Sequence, residues 1–267
     1  MELFCRETGS GKDTLVIVHG LYGSSDNWMS IAQKLGHKFR VILPDLRNHG
    51  QSPHSDRQDF ELMADDLYET LIKRIDCKFI LAGHSMGGKV AMRFAMKHPE
   101  LLSKLVVIDI APKSYIGKTG RGGEATDHPR IVDTLLNLHP ERFDDRKDID
   151  LELAHHFKSP SLRQFLLKNV KRDNSGKFYW QLNIEAIARN FDEIMDGFSG
   201  IGPENAVKGL PTVFIIGGDS RYVEEGDSLI INRLFPGSQI VTIPGAGHWV
   251  HVDQPELFLS TLLYHID

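Results

Sequence analysis

Runs of apolar, often β-branched residues alternate along the chain with segments whose apolar residues recur every three or four positions. The runs predict strands buried on both faces, and the second spacing predicts helices packed against them. The predicted strands are Thr14–Val18, Phe39–Leu43, Phe79–Ala82, Leu105–Ile108, Thr212–Ile216 and Ser238–Ile243. This alternation predicts an α/β fold, with a mostly parallel central sheet and helices on both faces.

The alternation stops for about 100 residues between the fourth and fifth predicted strands, a length too great for a loop in a compact domain. No strand is predicted from Ala111 to Leu210, whereas helices are predicted over 131–138, 161–167 and 184–191. We therefore expect an α/β core formed by residues 1–111 and 211–267, with residues 112–210 inserted as a helical cap.

Composition narrows the class of protein. The 267 residues are 41% hydrophobic and 25% charged, and the net charge is −5, which disfavours a nucleic-acid partner. Only Cys5 and Cys77 are present, which favours a reducing compartment over a disulfide scaffold. The sequence has neither an apolar leader at Met1 nor a membrane-length apolar stretch, so we expect a cytoplasmic protein without a membrane span.

One short stretch carries a specific chemical signal. The third predicted strand ends in Gly83-x-Ser85-x-Gly87, and a helix-like segment follows. Strand, Gly-x-Ser-x-Gly and helix together predict a sharp turn that exposes Ser85 as a nucleophile, with the small glycines making room for it. The backbone N–H of Met86 is then predicted to face a developing oxyanion.

A serine nucleophile needs a base and an orienting carboxylate. His248 follows the last predicted strand, so it is expected at the same edge of the sheet as Ser85. Asp109 and Asp219 follow two other strands, and both satisfy the order Ser, Asp, His. His251 is expected at the rim of the site or at a helix start, and a second nearby histidine, His84, is expected to have only a packing role.

Together these segments resemble the α/β-hydrolase superfamily and, within it, the small bacterial YbfF-type esterases, over nearly the whole chain. The segments that carry the resemblance are His19–Ser24, Asp45–Gly50, Gly83–Lys89, Ile108–Pro112, Gly217–Val223 and Gly245–His251. The resemblance implies the α/β-hydrolase fold. It also implies that the acid is Asp109, with Asp219 as the alternative, and that Ser220 is a neutral hydrogen-bond partner near the base.

The same resemblance implies that the N–H of Leu21 is the second oxyanion donor, beside that of Met86. The loop Asp45–Ser52 is expected to be structural, with Arg47 and His49 near the entrance. At the start of the cap, Lys113, Lys118 and Arg121 suggest either a solvated basic loop or a site for an anionic group such as a CoA phosphate. Several aromatic residues of the cap are expected to pack its core, and a few to line an acyl pocket: Tyr115, Phe157, Phe165, Phe178, Tyr179, Trp180 and Phe191.

The expected function is therefore a serine hydrolase that cleaves carboxylic esters or thioesters of small to medium acyl groups through an acyl-enzyme. The alternatives are a C–C bond hydrolase or lyase with the same triad, and a non-catalytic ligand receptor. No metal site and no cofactor are predicted, because His128, His155 and His156 lack metal-ligand spacing with acidic or thiol partners. The expected partner is a small acyl ester or thioester, and the sequence carries no signal for an oligomeric state.

Overall fold

The computed structural model describes residues 1–117 and 127–267. A seven-stranded sheet forms its centre. The strands are β1 Cys5–Thr8, β2 Asp13–Val18, β3 Phe39–Pro44, β4 Phe79–His84, β5 Leu102–Ile108, β8 Thr212–Gly217 and β9 Gln239–Ile243. They lie in the order β1-β3-β2-β4-β5-β8-β9, and all neighbours run parallel except β1, which pairs antiparallel with β3 at one edge.

Alternate residues of each central strand face opposite helical layers. In β2, Leu15 and Ile17 belong to the buried apolar cluster on one face of the sheet, whereas Val16 and Val18 belong to the cluster on the other face. The predicted mostly parallel sheet with helices on both faces is therefore confirmed. The helices of these layers are α1 Met29–Leu35, α2 Phe60–Leu71, α3 Met86–Lys97, α9 Asp227–Leu234, α10 Val250–Asp253 and α11 Pro255–Ile266.

Between β5 and β8 the chain forms mainly short helices. These are α4 His128–Asn137, α5 Arg146–His156, α6 Pro160–Leu167, α7 Ile184–Arg189 and α8 Phe191–Met195. The expectation that this segment has no strand is wrong, because β6 Val170–Arg172 and β7 Phe178–Trp180 pair as an antiparallel hairpin. Each strand has only three residues, too few to show an alternating pattern. The domain boundaries at 111 and 210 stay a prediction.

Parallel pairing places the ends of the central strands at one edge of the sheet. His84 of β4 pairs with Ile108 of β5, so the residues that follow them, Ser85 and Asp109, leave the sheet at the same level. Across the described ranges, no helix has the length and apolar character needed to cross a bilayer.

Candidate active site

Ser85 occupies a strained turn between β4 and α3. Its backbone has φ +55° and ψ −121°, an arrangement that non-glycine residues rarely adopt. A Cβ on Gly87 would collide with the carbonyl oxygens of Val18 and His19, and a Cβ on Gly83 would collide with the backbone of Gly87. The two glycines are therefore needed for the close approach of α3 to β2 and β4, which holds the Ser85 hydroxyl at the strand ends.

His248 connects Ser85 to a carboxylate. Its Nε2 lies 3.0 Å from Ser85 Oγ, and its Nδ1 lies 2.7 Å from Asp109 Oδ2. Because a carboxylate can only accept, Nδ1 carries the proton and Nε2 presents its lone pair to the serine hydroxyl. The ring of Tyr222 stacks on the imidazole, with ring centroids 3.8 Å apart and planes inclined by 15°.

Asp109 is fully buried and follows β5 with φ +49°. Besides His248, its carboxylate accepts hydrogen bonds from the Ser220 hydroxyl at 2.5 Å and from the Gly217 N–H at 2.9 Å. Three donors therefore surround its charge. Asp219 is exposed, and its backbone N–H donates to Ala246. The structure thus brings Ser85, His248 and Asp109 together and leaves the Asp219 side chain outside the group.

The loop after β2 is fixed by buried histidines. His19 Nδ1 donates to the carbonyl of Gly20 at 2.8 Å, and its Nε2 accepts the N–H of Leu46 at 3.0 Å. The Gly23 N–H also donates to the Gly20 carbonyl. That carbonyl belongs to the peptide group whose N–H is that of Leu21. Desolvation lowers the pKa of His19 to about 4, so the ring stays neutral near pH 7 and keeps its acceptor nitrogen.

The expectation that Arg47 and His49 lie near the entrance is wrong, because both are buried beneath the loops. Arg47 forms an ion pair with Asp66 at 2.6 Å. His49 donates to the Arg47 carbonyl at 2.9 Å and accepts the Tyr22 N–H at 3.3 Å. The predicted structural role of this loop is confirmed. Sequence cannot show which loop polar groups are buried, because loop composition resembles that of exposed segments.

His84 has a polar role that sequence reasoning missed, since its expected role was packing alone. Its Nε2 donates to the carbonyl oxygen of His248 at 2.8 Å. His251 begins near a helix start, as expected, but it is buried and stacks on Trp28 with ring centroids 4.0 Å apart. Desolvation lowers the pKa of His84 to about 3, which keeps its ring neutral.

A cavity of about 410 Å³ opens beside Ser85 and His248. Helices α4 and α6 supply one wall through Ile131, Leu162 and Phe165. Phe165 is thus a pocket residue among the predicted aromatic candidates, while Phe157 is fully buried in the core.

The basic residues at the start of the predicted cap divide into two groups. Lys113 is 11% exposed and pairs with Asp227 and Glu224, so it is not part of a solvated basic loop. Lys118 and Arg121 lie outside the described residues.

Comparison with known proteins agrees with this geometry. Residues 13–255 match the family described as alpha/beta hydrolase fold. The chain is 38% identical to the mouse sn-1-specific diacylglycerol lipase ABHD11, over 93% of this chain and 79% of that protein. It is 31% identical to esterase YbfF of Escherichia coli, over 95% of this chain and 92% of that protein, as the sequence resemblance implied. A solved marine microorganism esterase superposes with a TM-score of 0.93, at 41% identity and 99% coverage of both chains. The chain therefore belongs to the α/β-hydrolase fold family.

Proposed function

We propose that this protein hydrolyses carboxylic esters, with Ser85 as nucleophile, His248 as general base and acid, and Asp109 as the orienting carboxylate. The observation that carries the proposal is the pair of hydrogen bonds made by His248, at 3.0 Å to Ser85 Oγ and 2.7 Å to Asp109 Oδ2. Relatives named as an esterase and a lipase support the same reaction class.

The reaction proceeds in two halves. His248 Nε2 takes the proton of Ser85 as its Oγ attacks the ester carbonyl, and the resulting imidazolium is stabilised by the Asp109 carboxylate. His248 then returns the proton to the leaving alcohol, which leaves an acyl group on Ser85. A water molecule, deprotonated by His248, attacks this acyl-enzyme and releases the acid.

The N–H groups of Leu21 and Met86 bind the oxyanion. Among the described residues neither N–H has a hydrogen-bond acceptor, and the Met86 N–H belongs to the unpaired first turn of α3. In a trans peptide group the N–H points away from the C=O, so the bond from His19 to the Gly20 carbonyl fixes the orientation of the N–H of Leu21, a residue that lines the cavity. The same bond polarises the peptide group, which strengthens that N–H as a donor.

The cavity supports small to medium acyl groups as substrates. The surface that lines the cavity is mainly apolar, and the cavity's volume of about 410 Å³ falls within the range of small-molecule sites. We propose an oxygen ester and place the thioester second, because Lys113, a candidate for a CoA phosphate, is already neutralised by Asp227 and Glu224.

A labelling experiment and a substrate panel test the proposal together. A fluorophosphonate probe should label the wild-type protein rapidly at Ser85 and should not label Ser85→Ala, whereas a non-catalytic receptor would remain unlabelled. The panel compares kcat/KM for p-nitrophenyl esters and CoA thioesters of two to twelve carbons. Labelling without hydrolysis of any ester would favour the C–C bond hydrolase or lyase alternative.

A further inference from the structure

Three residues that line the cavity beside Ser85 each carry a buried polar atom that has no partner in the described part of the chain. Two of these atoms, the hydroxyl oxygen of Tyr22 and Nδ1 of His128, belong to neighbouring rings. Both residues line the cavity that Ser85 and His248 also line, and their ring centroids are 5.8 Å apart. Buried polar groups without partners are costly, and in ligand cavities such groups commonly bind the ligand.

Tyr22 is held in place by its backbone bonds and by the burial of its side chain. Tyr22 is 3% exposed and has φ +61°, which only a strongly held non-glycine residue adopts. Its N–H donates to His49 Nε2 at 3.3 Å, and its carbonyl accepts from Asn169 Nδ2 at 2.8 Å. These two bonds fix the backbone of Tyr22, and the close packing around its buried ring restricts the side chain to this rotamer.

His128 is held from its other nitrogen. Its Nε2 lies 2.7 Å from the hydroxyl of Tyr222, whose ring stacks on His248. One unpartnered atom therefore belongs to the loop after β2, and the other to the first residue of α4. A third such atom, Nδ1 of His251, belongs to a ring stacked face to face on Trp28, and that packing accounts for its position without a ligand.

The pair is uncharged. Desolvation lowers the pKa of His128 to about 3, and burial raises the pKa of Tyr22 well above its usual range. Among the described residues that line the cavity, the only lysine or arginine is Lys168, and its side chain is exposed. A buried anion would therefore lack a buried cation as its partner.

The hydrogen-bonding capacity of the two atoms selects one ligand group. If the Tyr222 hydroxyl donates to His128 Nε2, Nδ1 carries a proton and is a donor; if Nε2 donates, Nδ1 is an acceptor. A hydroxyl group can donate and accept, so it satisfies Nδ1 in either tautomer and Tyr22 Oη as well. An ether oxygen can only accept, and a methyl group leaves both atoms unpaired.

We propose that Tyr22 and His128 form a subsite for a free hydroxyl on the alcohol part of the ester. This inference rests on the proposed ester hydrolysis. The alcohol part is favoured because His128 contacts Tyr222, whose ring covers His248, and His248 is the group that must protonate the leaving alcohol. The substrate class is thus a partial ester of a polyol, in which one hydroxyl is acylated and a nearby one is free.

The test uses two pairs of butyrate esters that are matched in size and differ in a methyl or a hydroxyl end: propyl with 2-hydroxyethyl butyrate, and butyl with 3-hydroxypropyl butyrate. Carboxymethyl butyrate serves as the anionic comparison. In the wild-type protein kcat/KM should favour the hydroxyl ester over its methyl match by about 10- to 100-fold in at least one pair. Tyr22→Phe, which removes only the unpartnered oxygen, should reduce the ratio to below about threefold. His128→Phe tests the second atom, and Tyr264→Phe, at a residue 81% exposed, is the matched control that should keep the wild-type ratio.

Three results would overturn the subsite. A wild-type ratio near one in both pairs would mean that the two atoms bind only water. A preference for the carboxymethyl ester would mean an anion site. An undiminished ratio in both Tyr22→Phe and His128→Phe would place recognition of the hydroxyl elsewhere. These three results count against the subsite only if fluorophosphonate labels Ser85 and the wild-type protein hydrolyses the esters. If the wild-type protein is neither labelled nor hydrolyses any ester, the proposed function itself is overturned.

Discussion

His84 Nε2 lies 2.8 Å from the carbonyl oxygen of His248, so the residue before Ser85 holds the loop that carries the proposed base. The two rings are also close, with centroids 4.8 Å apart. Since His84 ends β4 and His248 follows β9, this bond fixes the distance between two segments that are remote in sequence. It makes His84 a positioning residue for the proposed triad.

We expect His84→Phe to lower kcat by about tenfold with little change in KM, because a misplaced base slows proton transfer more than it weakens binding. His84→Gln keeps an N–H donor and should recover part of the loss. Steady-state kinetics on p-nitrophenyl butyrate measure both constants. Equal kcat values for wild type and His84→Phe would show that the bond does not position His248.

The second prediction concerns the proposed acid, Asp109. Asp109→Asn should retain the fold but lose about 10³- to 10⁴-fold in kcat, because an amide does not stabilise the imidazolium and favours the wrong tautomer of His248. Asp219→Asn is the matched control and should stay within about twofold of wild type, because its side chain is exposed. The reverse pattern of losses would assign the acid to Asp219.

Stability should fall with acid below the normal pKa of histidine. Burial lowers the pKa of several histidines, so between pH 6.5 and about 4 the folded protein keeps them neutral while the unfolded chain binds protons. Each such group therefore removes up to about 1.4 kcal/mol of unfolding free energy per pH unit as the pH falls through this window. The histidines concerned are His19, His49, His84, His128 and His251.

The variant His251→Phe isolates one of these groups, because a phenyl ring can keep the stacking on Trp28 but binds no proton. Urea unfolding between pH 7.5 and 5 should give a slope lower by about one proton than that of wild type. His37→Gln, at an exposed histidine, is the control and should leave the slope unchanged. Identical slopes for His251→Phe and wild type would show that His251 is protonated in the folded state.

Lys89 joins the core to the segment between β5 and β8. This lysine of α3 is 2% exposed, and its Nζ donates to the carbonyls of Met195 at 3.1 Å and Asp196 at 2.5 Å. Desolvation lowers its pKa to about 7. Lys89→Met should lower the unfolding free energy by about 1–3 kcal/mol, because a buried carbonyl loses its donor.

Hydrogen exchange locates the lost stability: backbone amides near 190–199 should exchange faster in Lys89→Met than in wild type. The matched control lies on the same helix. Lys97 pairs with Glu61 and Asp65 at the surface, so Lys97→Met should change stability by less than about 1 kcal/mol. Equal effects of the two substitutions would contradict the anchoring role of Lys89.

The strands of the sheet interior could be predicted because burial on both faces requires continuous apolar runs, as in β4 and β5. The edge strand β1 escaped prediction because its four residues, Cys5–Thr8, are only partly buried and mostly polar. The β6–β7 hairpin escaped for a similar reason, since its pairing depends on contacts that three-residue strands do not display as a pattern.

The residues of the candidate site likewise divide into those that the sequence could predict and those that it could not. Ser85 and His248 could be singled out because each follows a predicted strand in a glycine-rich turn. Residues alone left Asp109 and Asp219 open, because strand ends do not show which carboxylate faces inward. His84 and His49 could not be assigned at all, because their partners are backbone groups of other loops, and sequence spacing carries no trace of such contacts.

Tyr115 links the loops of the proposed acid and base to the start of the predicted cap. Its hydroxyl accepts the N–H of Ala111, two residues after Asp109, at 3.0 Å. It donates to the carbonyl of Tyr222, whose ring covers His248, at 2.6 Å. Chimeras that exchange the cap between relatives should therefore be joined downstream of Tyr115. A junction upstream of it would alter turnover even where the exchanged cap admits the same substrates.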